Sequence, residues 1–78
     1  MSKPIIFTIV AAWDHEASVW TGHCDDIPAA ADAQTLDELL LKISAMALDL
    51  LPENHPQVDP ASLFLQLTAL REAEHAAA

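Results

Sequence analysis

Residues 5–13, Ile-Ile-Phe-Thr-Ile-Val-Ala-Ala-Trp, carry no charge and hold no glycine or proline. β-Branched and aromatic residues at this density predict a strand. Its two alternating sets are Ile5, Phe7, Ile9, Ala11 and Trp13 against Ile6, Thr8, Val10 and Ala12. Both are largely apolar, as in a strand at the centre of a sheet. Asp14-His15-Glu16 breaks the run at hairpin length. Residues 17–24 predict the return strand, with Val19 and Trp20 on opposite faces and Gly22, the one glycine of the chain, inside it. A lone strand glycine marks a bulge or close packing. Asp25-Asp26-Ile27-Pro28 reads as a turn, and the alanine-rich residues 29–33 fit a short edge strand.

At Thr35 the period changes from two residues to about 3.6. Thr35-Leu36-Asp37-Glu38 spells a capping box: the Thr35 hydroxyl can accept from the Glu38 amide, and the Glu38 carboxylate can reach back to the Thr35 amide. Asp37 and Glu38 also suit the positive end of the helix dipole. The predicted helix covers residues 36–51 and stops at Pro52, which disfavours a helical conformation in the residue before it. Leu36, Leu39, Leu40, Ile43, Met46, Ala47 and Leu50 form the face expected to pack on the sheet. Leu41, Ala45 and Leu48 form a second stripe, either tolerated in solvent or in contact with another subunit or partner.

Residues 52–60 hold three prolines and read as a connector. Residues 62–70 alternate, Leu63, Leu65, Leu67 and Ala69 against Phe64, Gln66, Thr68 and Leu70, which predicts a fourth strand. A helix is the rival reading, since Pro60 suits a helix start and Leu63, Leu67 and Leu70 fall at helical spacing. Residues 72–78 are expected to fray.

At 78 residues this is one domain. A chain of that length buries only roughly 60% of its unfolded surface. Yet 53% of its residues are apolar, so some apolar surface should remain exposed, most simply for a partner. A two-fold homodimer is the expected assembly. Twelve acidic residues against three basic ones leave a net charge of −9. Such a field repels phosphate, so direct nucleic-acid binding is not expected. It suits a basic protein partner, or serves solubility alone. No apolar run reaches the roughly 20 residues of a membrane span, and no signal-peptide pattern opens the chain, so a cytoplasmic protein is expected.

Candidate chemistry is sparse, and no cofactor is expected. His15, His23, His55, His75 and Cys24 are the soft ligands, but adjacent strand residues such as His23 and Cys24 point to opposite faces. No paired-cysteine or paired-histidine motif with metal-ligand spacing occurs. The carboxylate pairs Asp25-Asp26 and Asp37-Glu38 are explained by a turn and a cap. These readings favour a non-enzymatic protein. Asp25, Asp26, Leu41 and Leu48 are the candidate partner-binding residues. Thr35, Glu38, Trp13 and Trp20 are candidate structural residues, large aromatics being the usual ballast of a small core.

The order of strand, polar hairpin, Val19-Trp20 strand, Asp26-Ile27-Pro28 turn and Ala31-Asp32-Ala33-Gln34-Thr35-Leu36-Asp37-Glu38-Leu39 resembles the HicB-type antitoxin domain, in particular its small stand-alone branch of unassigned function. Matching residues run from about 13 to 51. One departure is Ala29, where members of that family often carry glycine after the proline. The resemblance implies an α+β fold: a three-stranded antiparallel sheet, then one amphipathic helix and a C-terminal strand, in two layers. It therefore favours the strand for residues 62–70. It also implies that a small, basic, mRNA-cleaving toxin is the partner. Family members that bind DNA add a separate module, and direct operator binding is not expected of these residues.

Overall fold

The computed structural model describes residues 4–73. Most of the tail expected to fray, residues 74–78, lies outside them. The sheet is built around β1 (Ile5–Asp14), which pairs antiparallel with β2 (Val19–Cys24). β2 in turn pairs antiparallel with β3 (Ala29–Ala33). The helix α1 (Leu36–Asn54) follows, then a one-turn 3₁₀ segment (Pro60–Ser62) and β4 (Leu63–Leu70). β4 returns to the free side of β1 and runs parallel to it, from Ile5↔Leu63 to Ala12↔Leu70. The result is a mixed four-stranded sheet of order β3-β2-β1-β4 with one helix on one face, an α+β fold of two layers. The alternation in residues 63–70 thus reads as a strand, and the helical spacing there is incidental.

One alternating set of β1 makes the core. Phe7, Ile9 and Ala11 are buried beneath α1, together with Cys24, Ile27, Ala29 and Ala33 from the rest of the sheet. From α1 come Leu39, Ile43, Ala47 and Leu51. Gly22 lies opposite both Ala11 and Ala31 in the ladder. A Cβ there would sit 2.8 Å from Leu39 Cδ2 and 3.3 Å from Ile43 Cδ1. The row of small residues is therefore where the helix comes closest to the sheet, which is the close-packing role for a strand glycine and not a bulge.

Three local expectations need correction. The helix passes through Pro52 and ends at Asn54. Proline removes only one amide bond so near a C-terminus, and burial of Leu51 holds the chain helical there. The terminal carbonyls still find donors: His55 N–H bonds Leu51 O at 2.7 Å, and Asn54 Nδ2 bonds Leu50 O at 3.0 Å. Met46 is not a core residue but 38% exposed, because the sheet lies under the Leu39–Ile43–Ala47 row and Met46 falls to one side of it. Finally, β2 starts at Val19 and not at residue 17. Asp14 Oδ1 accepts from the amides of Glu16 and Ala17, its carbonyl accepts from Ser18 N–H, and Ser18 takes a left-handed φ of 56°. Those bonds keep residues 15–18 in the turn.

One half of the predicted capping box forms, with Glu38 N–H donating to Thr35 Oγ1 at 3.1 Å; the reciprocal bond from the Thr35 amide to the Glu38 carboxylate is not made, and that carboxylate turns to a lysine instead. Glu38 Oε1 lies 3.6 Å from Lys42 Nζ, one helical turn on. The same ammonium donates to Asp32 O of β3 at 2.8 Å, tying helix to sheet edge.

Candidate protein-binding surface

The proposed partner-binding residues do not form one cluster of equivalent groups. Asp26 is engaged within the fold. Its Oδ2 accepts from Thr8 N–H at 3.2 Å and lies 3.8 Å from Cys24 Sγ, while its carbonyl is 2.7 Å from His55 Nε2. The His55 ring also rests on Phe7, with centroids 5.1 Å apart. Asp26 therefore ties the β2–β3 turn to the start of β1 and to the end of α1. The Asp25 side chain is 87% exposed and lies 3.6 Å from the exposed His23 imidazole. Leu41 stands on the outer side of α1 at 72% exposure, and Leu48 on its flank at 51%.

The two tryptophans face each other across the first hairpin, in register, with edge-to-face rings 5.4 Å apart. The Arg71 guanidinium lies over the Trp13 ring at 4.2 Å and is 5.9 Å from that of Trp20. Stacking of this kind closes the end of the sheet beyond the reach of α1. Among the described residues no group of three or more His, Cys, Asp or Glu side chains is placed to hold a metal ion. Cys24 is buried. No helix among them is long and apolar enough to cross a membrane.

A larger apolar surface lies on the sheet, away from the stripe that the sequence singles out on the helix. The second alternating set of β1 points to the face that α1 does not cover. Ile6 is 57% and Val10 43% exposed, and on the neighbouring strand Phe64 is 58% and Leu70 77% exposed. Ile6 stands beside Phe64, and Ala12 beside Leu70. On the helix side α1 packs over β3 and β2, so Leu63, Leu65 and Leu67 of β4 are only half-buried against the core. Between them and the helix lies an open groove lined by Leu40, Leu48, Leu63, Phe64 and Leu65. This is how Leu48 acquires a setting that Leu41 lacks. The signal is present in residues 5–13, where both faces are apolar: β1 is the interior strand that this pattern predicts, and only one of its faces is covered.

Most acidic groups lie elsewhere. Asp25, Asp26, Asp37, Glu38, Asp49, Glu53 and Asp59 are exposed on turns, on the helix and on the connector, while β4 and the stretch of β1 before Asp14 hold none. The β1–β4 half of the open face and its edge are thus neutral and apolar, while Asp32 on β3 shares that face further across the sheet. The chain belongs to the family described as a domain of unknown function, DUF1902, whose model matches residues 6–76. It is also similar to a hypothetical protein of known crystal structure from the extremely thermophilic bacterium Thermus thermophilus. The two are 38% identical with a TM-score of 0.74, over 91% of this chain and 100% of that one. No curated protein matches. Neither similarity is described in terms of HicB, so that resemblance is carried by the sequence motifs alone.

Proposed function

We propose that this chain is a non-enzymatic, cytoplasmic protein-binding domain of HicB-antitoxin type that neutralises a small basic mRNA-cleaving toxin. The observation that carries the reading is the surface: net charge −9 surrounding a sheet face on which Ile6, Val10, Phe64 and Leu70 stand in solvent. An acidic rim speeds the approach of a basic protein, and uncovered apolar side chains supply the affinity. Asp25 is the better placed of the two turn acids for that contact, since its side chain is 87% exposed. Co-expression with the product of an adjacent small basic reading frame, followed by pull-down and a growth assay, tests it. Retention of the basic protein with relief of growth arrest is expected. Absence of any such neighbour, or growth arrest undiminished, removes the antitoxin role.

The exposed sheet also favours a second reading, an interaction domain whose partner is a copy of itself. Sedimentation separates the two, because self-association requires no second gene product.

A further inference from the structure

We infer that the free edge of β4 is a self-pairing edge: two copies join antiparallel about a two-fold axis at Leu67, making one continuous eight-stranded sheet with both helices on the same face. Among the described residues nothing pairs with the outer side of β4. The strand is regular, with eight consecutive partners on β1 and no bulge. It holds no lysine, proline or other edge-blocking residue, the usual devices by which a solvent-facing strand avoids strangers.

The charge distribution selects the occupant. Two chains of net charge −9 repel on approach. They meet at least cost where neither bears charge, and Leu63–Leu70 is uncharged throughout. A basic partner would draw nothing extra from that strand, whereas a second copy of the same neutral strand fits it.

The register selects itself. Antiparallel partners must share a face, so the two-fold axis passes through a residue and sets odd positions opposite odd ones. Centred on Leu67, the open face pairs Phe64 with the second copy's Leu70 and Gln66 with the second copy's Thr68. The helix face pairs Leu65 with the second copy's Ala69 and Leu67 with the second copy's Leu67. Apolar meets apolar and polar meets polar at each of these positions, which is the self-complementarity an isologous contact demands. Centred on Gln66, Phe64 would instead face a threonine. The arrangement also accounts for Leu70 and Phe64 standing 77% and 58% exposed in the single chain. The inference concerns self-association alone and stands whether or not the toxin reading does.

Charge swapping tests it on the full chain, by sedimentation at high micromolar concentration. The wild type is expected to sediment as two chains. Gln66→Lys/Thr68→Lys and Gln66→Glu/Thr68→Glu are each expected to sediment as one chain, since like charges then face each other across the axis. Mixing the two variants should restore a two-chain species, a recovery that misfolded variants could not give. Leu41→Lys, on the outer side of α1, should leave the two-chain mass unchanged. A wild type that stays single, variants that still dimerise, a mixture that stays single, or dissociation caused only by Leu41→Lys would overturn the proposal. So would a basic partner protein whose binding is lost in the β4 variants while the two-chain mass is kept.

Discussion

The two faces of β1 are nearly alike in sequence and opposite in fate. Phe7, Ile9 and Ala11 are all but inaccessible, while Ile6 and Val10, one residue along, are roughly half-exposed. Apolar content therefore does not report burial by itself. Burial follows from whether another layer arrives, and this chain has one helix for two apolar faces. The covered face explains the stability of the domain. The uncovered face is the surface that the proposed partner would cover.

That contrast can be broken by substitution. The largest effect is expected on the covered face: Ile43→Ala should lower unfolding free energy in urea by about 2–5 kcal/mol, since a fully buried side chain leaves a cavity. In a domain this small that loss leaves much of the population unfolded. Gly22→Val should cost about 1–3 kcal/mol by pushing Leu39 and Ile43 off the sheet, and the same denaturation curve reads it. Asp26→Ala removes the acceptor for Thr8 N–H and should cost about 0.5–1.5 kcal/mol. A thermal melt unchanged from wild type would show that Asp26 serves only the surface. Thr35→Ala should cost about 1 kcal/mol through loss of the cap, with early exchange of the Glu38 amide as its local signature.

The smallest effect is expected on the open face. Val10→Thr should change the stability of the dilute single chain by less than about 0.5 kcal/mol. An effect comparable with Ile43→Ala at low concentration would mean that the two faces are not different after all. An effect that grows with protein concentration would instead locate a subunit contact on that face.

Much of this architecture was legible in the residues. Alternation over 5–13, the turn at Asp25–Pro28 and the Thr35–Glu38 cap are local signals, each decided within a few positions. The reading failed where a longer-range force competed with a local one. Pro52 did not end the helix because Leu51 is held in the core, and Met46 left the core because the sheet lies to one side of it. For the candidate site the yield was smaller. Asp25 and Leu48 stand on accessible surface, but Asp26 proved to be a tie between turn, strand and helix. The open sheet face went unread because an exposed apolar strand and a buried one look the same in one dimension.

Sequence by itself determined the order of the first three strands and the helix, the helix start, the acidic composition and the neutrality of residues 63–70, because each is a property of composition or of neighbours along the chain. Tertiary structure alone decided that β4 returns parallel to β1, that α1 covers β3 and β2 and leaves β4 partly bare, and hence which leucines meet water. Pairing between residues 58 positions apart is chosen by the summed burial of the whole chain, a quantity that no window of residues contains.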